Sequence, residues 1–288
     1  MLNEFDWLIY LKKKKSKMSL EQPKNFILLS SSEGKKMFLQ SSIPEKNYTN
    51  SFWKLSQNFV SQINGAFCGV ASMVTVLNSL SSTKNSRPKY SGVQNYFYYD
   101  QQNFFNEQTD KIHPSSSISK RGMKFTELEA LLLCHKGVKT ESYFGMNLTL
   151  KEFRSIMKKN LPLEDNFVIL YYDRKIVEQE GSAHISLLAG YNEEQDMLLL
   201  LDVARFKYEF AWVPTEDIWK SINYKNTMVN FIGYDGGIIV VSENESNKIQ
   251  EKPKIGIMNP FKFLGFAVLI IFLLGVICGY LLGKRISK

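Results

Sequence analysis

The feature that most constrains this chain is a change of hydrophobic period part-way along it. Between about residues 52 and 80 apolar side chains recur at helical spacing, first in "SFWKLSQNFV" and then, after a turn at Asn64-Gly65, in "GVASMVTVLNSL". "KFTELEALLLCHKG" reads as an amphipathic helix with Thr126 as N-cap and Gly137 as its stop, and "TLKEFRSIMKKNL" as another. The aromatic and polar middle, "SGVQNYFYYDQQNFFNEQTDKIHPSSSISKRG", has no clear period and reads as loops and short elements. The second half changes character: "NFVILYYD", "SAHISLLAGY", "MLLLLDVA" and "GGIIVVS" are short runs of branched and aromatic residues bounded by Gly, Asn and Asp, the pattern of strands. Helices first and an antiparallel sheet afterwards describe an α+β protein.

A chain of 288 residues with 44% hydrophobic content is long enough for one main body. That body is expected over residues 25–243, after an N-terminal extension, 1–24, that lacks the layout of a secretory signal. Three cysteines, Cys68, Cys134 and Cys278, are too few and too irregularly spaced for a disulfide framework or a paired-ligand zinc site. They suit a reducing compartment, and no metal ligands are expected. The formal charge of +8 is mostly lysine, with no arginine-rich, aromatic-interleaved patch, so it suits solubility or anionic lipid and not nucleic acid. After a polar linker, 244–262, the run "FLGFAVLIIFLLGVICGYLLG" at 263–283 has 21 residues without a charge, followed by a basic tail, 284–288. Its length matches a hydrocarbon core of ~30 Å. One C-terminal transmembrane helix is expected there, a single-pass anchor with the body facing the cytosol. Gly275, Gly279 and Gly283, four apart, give it a face for a homodimer.

The chemistry begins at "QINGAFCGVAS". A thiol attacks carbonyls as thiolate, and a helix start with a nearby imidazolium lowers its pKa. Cys68 has the first by position. Among three histidines, His184 in "GSAHISLLAGY" is the best candidate for the second, because small residues flank it on a strand. Eighteen residues on, Asp202 ends an apolar strand where a core strand would not carry an acid, and an acceptor for the imidazole N–H explains it. Singly, each has a plainer reading: a buried small residue, a satisfied core histidine, and a strand-end acid paired with Arg205. Together, Gln62, Cys68 six positions later, then His184 and Asp202 on successive strands follow the order of papain-like thiol enzymes, in which the glutamine donates to the oxyanion.

"SSEGKKMF", "QINGAFCGVASMVTVLNSL", "RGMKFTELEALLLCHKG" and above all "HISLLAGYNEEQDMLLLLDVARFKYEFAWVPTEDIWKSIN" resemble the N-terminal catalytic domain of phytochelatin synthase, over about residues 26 to 242. The resemblance is to a short form without the cysteine-rich C-terminal domain of plant members. It implies a papain-like cysteine peptidase fold and a γ-glutamylcysteinyltransferase acting on glutathione. By that resemblance Cys68 is the nucleophile, His184 the base and then acid, Asp202 its orienter and Gln62 the oxyanion donor. Arg205 of "DVARFKY" matches an arginine associated with substrate binding, with an ion pair to Asp202 or another nearby acid as its structural alternative. No cofactor is needed for the thioester chemistry, and cadmium or zinc is expected as activator or as metal–glutathione substrate. Two departures stand out: Phe67 replaces the tyrosine of plant members, and Asp235-Gly236-Gly237 replaces an Arg-Gly-Phe run, which leaves one substrate carboxylate without its expected partner. The alternatives are a cysteine peptidase for another γ-glutamyl or thiol substrate, and a membrane-tethered module binding thiols or metal thiolates without turnover.

Overall fold

The computed structural model describes residues 22–223 and 236–244. Its centre is explained by one strand. In β3 (Phe167–Asp173) every residue is buried. Phe167, Ile169 and Tyr171 enter one hydrophobic core, and Val168, Leu170 and Tyr172 enter another. A strand covered on both faces needs no polar alternation, which is why "FVILYYD" reads as a continuous apolar run. The strands β1 (Ile27–Leu28), β2 (Val138–Phe144), β3, β4 (Ala183–Asn192), β5 (Met197–Leu201), β6 (Ala211–Pro214) and β7 (Gly237–Glu243) form one sheet. Their order is β1-β6-β5-β4-β3-β7-β2, with antiparallel neighbours throughout.

Helices cover both faces. Those of the first part of the chain are α1 (Ser32–Gln40), α2 (Asn50–Gln57), α3 (Cys68–Ser79), α4 (Glu107–Ile112), α5 (Ser115–Arg121), α6 (Phe125–Leu132) and α7 (Leu150–Asn160); α8 (Thr215–Asn223) follows β6. In α3, Gly69 to Ser79 are all buried. Its polar side chains bond inside the helix: Ser72, Thr75 and Ser79 donate to the carbonyls of Cys68, Ala71 and Thr75 at 2.9, 2.9 and 2.8 Å. Val70, Met73 and Leu77 join the first core, and Phe153 and Met157 of α7 with Ile218 and Ile222 of α8 join the second.

The α+β expectation, with strands concentrated in the second half, matches this architecture. In detail, α6 begins at Phe125 with Lys124 as N-cap, not Thr126; the Glu127 carboxylate accepts the Lys124 N–H at 2.8 Å. The strand β2 escapes the sequence reading because it lies at a sheet edge and carries Lys139, Thr140, Glu141 and Ser142 instead of an apolar run.

The transmembrane helix expected at 263–283, and the single-pass membrane anchor inferred from it, are corrected. Among the described residues no helix is long and apolar enough to cross a membrane. The longest, α3, has 12 residues, about 18 Å where ~30 Å is needed. Residues 263–283, including Gly275, Gly279 and Gly283, lie outside the described residues.

Candidate active site

Asn64 organises the loop that leads into α3. Its backbone carbonyl accepts the Gln62 Nε2–H at 2.6 Å and the Phe67 N–H at 3.4 Å, and its Oδ1 accepts the Ala66 N–H at 2.9 Å. The loop is tied to the end of the sheet through Val203, whose carbonyl accepts the Gln62 N–H at 2.9 Å and the Ser61 hydroxyl at 3.0 Å. Gln62 is buried, and one of its two amide hydrogens remains beyond the bond to Asn64. The loop delivers Cys68 as the first residue of α3, whose N-cap Phe67 provides no side-chain cap for the first-turn N–H groups. Gly69 lets this helix start press against the sheet: a Cβ there would lie 2.5 Å from Met123 Sδ and 3.0 Å from Ile185 Cδ1.

His184 is the second residue of β4, opposite Tyr172. Because Leu187 pairs with Leu201, the chain leaving β5 brings Asp202 alongside the start of β4. His184 Nε2 is 2.9 Å from Asp202 Oδ1 and 3.1 Å from Ser186 Oγ, which in turn accepts the Val203 N–H at 3.1 Å. With Nε2 engaged, Nδ1 is the ring nitrogen left for the Cys68 thiol, to which His184 hydrogen-bonds. Burial pushes the Cys68 thiol up, but the hydrogen bond and charge of His184, with the backbone N–H groups of Ile185 and Gly69, outweigh it and the thiol pKa is lowered. Burial likewise disfavours the His184 cation, and Asp202 overcomes this and raises its pKa. Asp202 is itself held far below the usual carboxylate range, against burial, by His184, Arg174 and the Ala204 N–H.

Arg174 was not legible as a partner in the sequence. Its Nη2 donates to both carboxylate oxygens of Asp202, at 3.0 and 2.8 Å, and both side chains are buried. The structural partner of Asp202 is therefore Arg174, and not Arg205. Arg205 donates to the Tyr208 carbonyl at 2.7 Å and lies 4.5 Å over the Phe210 ring, in a separate apolar hollow with Phe38 and Phe52. The structure thus brings Cys68, His184 and Asp202 together beside the Gln62 loop and places Arg205 elsewhere. The one signal that could have found Arg174 is Asp202 itself, since a wholly buried carboxylate calls for more than one neutral histidine.

The cleft at Cys68 has a volume of about 490 Å³ and is lined by Ala66, Cys68, Lys120, Arg121, Ala183 and His184, among others. Arg121 is paired with Glu127 at 3.0 Å. The other two histidines are engaged elsewhere. His113 is buried, 3.1 Å from Glu127 and 3.0 Å from Ser117 Oγ. His135 packs on Phe104 and Tyr99, and burial pushes its pKa down to about 4. Cys134 donates to the Ala130 carbonyl at 3.4 Å, and burial raises its thiol pKa. Among the described residues no group of three or more His, Cys, Asp or Glu is placed to hold a metal ion.

A buried Asp202 thus holds His184 beside a Cys68 thiol whose pKa is lowered. The family model of phytochelatin synthase matches residues 17–231. The chain belongs to the phytochelatin synthase family. It is 34% identical over 195 residues to glutathione gamma-glutamylcysteinyltransferase 1 of Lotus japonicus, covering 68% of this chain and 36% of that protein. The Arabidopsis thaliana protein of the same name is 34% identical over 194 residues, covering 67% and 38%. The glutathione gamma-glutamylcysteinyltransferase of Schizosaccharomyces pombe is 31% identical over 209 residues, covering 73% and 48%. The chain therefore spans less than half the length of these relatives. Among solved structures, xylellain, a cysteine protease from Xylella fastidiosa, is similar at a TM-score of 0.33 and 10% identity, over 65% of this chain and 82% of that one.

Proposed function

We propose that the chain cleaves the Cys–Gly peptide bond of glutathione through a γ-glutamylcysteinyl thioester on Cys68. The observation that carries this reading is the meeting of Cys68, at an uncapped helix start, with a His184 held by a buried Asp202. The Cys68 thiolate attacks the cysteinyl carbonyl carbon, and the oxygen gains a negative charge. The Cys68 backbone N–H and the remaining N–H of the Gln62 amide stabilise that oxyanion. The C–N bond then breaks, His184 gives its proton to the glycine amine, and glycine leaves. In the second half-reaction neutral His184 takes a proton from water, or from the amine of a second glutathione, as that nucleophile displaces Cys68. Lys120 and Arg121 suit the carboxylates of the substrate, one of which the departure at Asp235-Gly236-Gly237 leaves without its expected partner. Cadmium or zinc would enter as part of the substrate, carried as a glutathione thiolate.

The test is to incubate the full chain with glutathione, with and without cadmium, and separate the products by mass. Free glycine with γ-glutamylcysteine means hydrolysis, and (γ-Glu-Cys)₂-Gly means transfer. Glutathione left intact under both conditions overturns the proposal in favour of another γ-glutamyl substrate or a binding module without turnover.

A further inference from the structure

The nine residues between β3 and β4, 174–182, do more than connect two strands. Arg174 leaves β3 and folds back under the start of β4, its N–H donating to the Ser182 carbonyl at 3.1 Å while its own carbonyl accepts the Gln179 N–H at 2.8 Å. Glu178 and Gly181 take positive φ values, 58° and 119°, to close the loop. Inside it the guanidinium is bonded through both terminal nitrogens. Nη1 donates to Gln179 Oε1 at 2.7 Å, an oxygen that also accepts the Tyr172 hydroxyl at 2.9 Å. Its Cζ lies 5.0 Å over the Tyr208 ring and 6.0 Å over that of Tyr172. Nη2 holds both oxygens of Asp202. Tyr208 is fixed in turn, its hydroxyl accepting the Glu180 N–H at 2.6 Å.

A buried ion pair seldom adds stability over apolar residues of the same volume, so its effect on neighbouring groups is the more informative property. Asp202 faces two cations, Arg174 permanently and His184 when protonated. The titratable and charged groups against the His184–Asp202 pair are Cys68 from α3, Tyr172 from the end of β3, Arg174 from the connection after it, and Tyr208 from the segment before β6. Tyr172 stays a neutral phenol because burial raises its pKa far above the ordinary value. Asp173, the next residue back, turns its carboxylate to the Lys175 N–H. A thiolate on Cys68 and an imidazolium on His184 therefore add to an Asp202–Arg174 pair that is already neutral, and the four charges sum to zero where Arg174, His184 and Asp202 are buried.

We propose that Arg174 is a positioning residue of the thiol site, fixing the Asp202 carboxylate against His184 Nε2 and balancing its charge so that the imidazolium can release its proton to the departing amine. This rests on the reading of Cys68 as nucleophile but not on the identity of the substrate. Without Arg174, Asp202 would give its whole field to His184, the imidazolium would be held too tightly, and the carboxylate would be free to rotate.

The test compares wild type, Arg174→Gln and Arg174→Lys in the rate of Cys68 alkylation by iodoacetamide as a function of pH, and in glutathione turnover. In wild type the alkylation profile has a lower step, where the thiolate forms, and an upper step, where His184 loses its proton. Arg174→Gln should move the upper step to higher pH and lower kcat by ~10–100-fold with little change in KM, the scale of loss when a group orienting a functional side chain is removed. Arg174→Lys keeps the charge and loses the fork, so its upper step should stay near the wild-type position while kcat falls by a smaller factor. A folded Arg174→Gln protein with an unchanged upper step overturns the proposal, and a loss confined to KM makes Arg174 a substrate contact instead. If Arg174→Gln fails to fold, wild-type kcat in Arg174→Lys overturns it. If the wild-type protein leaves glutathione intact, the substrate reading falls and the alkylation profiles still decide the role of Arg174.

Discussion

His184 Nε2 and Asp202 Oδ1 lie 2.9 Å apart, with both side chains buried and Arg174 closing the far side of the carboxylate. The pair cannot be altered without consequence for the cation behind it. Asp202→Asn should lower turnover by weakening the orientation of His184, yet leave measurable activity because the base persists. It should also leave a buried guanidinium without its counter-charge, at about 3–5 kcal/mol of stability. Urea unfolding reads the second effect, and His184→Ala, which keeps the Asp202–Arg174 pair, should lose activity with a much smaller shift in midpoint.

The directions of the two titrations at the nucleophile fix the shape of the pH profile. The reactive thiolate–imidazolium form appears as pH rises through the Cys68 value, lowered from 9.0, and is lost as pH rises through the His184 value, raised from 6.5. A plot of kcat/KM against pH should be bell-shaped between those limbs. The stability contributions follow the linkage sign. That of His184 is fully present below 6.5 and lost as pH rises through its raised folded value. That of Asp202 is present above 3.8 and lost as pH falls through its depressed one. A profile rising monotonically to high pH would contradict the ion-pair account.

His135 predicts the opposite slope away from the site. Its folded pKa of about 4 is below the ordinary 6.5, so the unfolded chain binds the extra proton first and stability falls as pH drops through 6.5 towards 4. At pH 5 the loss amounts to about 2 kcal/mol, from ~1.36 kcal/mol per pH unit. His135→Phe, packed on Phe104 and Tyr99, should remove that slope, so that the variant gains on wild type at pH 5 relative to pH 7.5 in denaturant midpoints.

Gln62 and Lys120 separate transition-state from ground-state contacts. Gln62→Ala should lower kcat by ~10²–10³, the usual loss for one oxyanion donor, with little change in KM. Lys120→Ala should instead raise KM for glutathione by about tenfold, equal to ~1.4 kcal/mol, with kcat nearly unchanged. Steady-state kinetics of the two variants distinguishes them, and the reverse pattern would exchange their roles.

The periodic parts of this chain were legible in its sequence. The buried helix α3, strands β3 to β5, and the placing of Cys68 at the start of α3, His184 on β4 and Asp202 just past the end of β5 follow from apolar spacing and from acids and small residues where a plain core would not have them. What escaped depends on pairing across the sheet. Arg174 meets Asp202 because β3, β4 and β5 are neighbours in register, with Tyr172 opposite His184 and Leu187 opposite Leu201. Along the chain Arg205, three residues from Asp202, looked nearer than Arg174, 28 residues away. The role of Asn64 escaped for a similar reason, since a turn residue announces a turn but not the three groups it gathers. Edge strand β2 has too little apolar content to announce itself.

The most direct test of the central claim is intact-protein mass spectrometry of the full chain quenched in acid within its first turnovers of glutathione. The account predicts a mass increase equal to γ-glutamylcysteine less water, mapped to the peptide containing Cys68, with one equivalent of glycine released, and neither in Cys68→Ser. Glycine released without an adduct at Cys68, or activity in Cys68→Ser within ~10-fold of wild type, would contradict it.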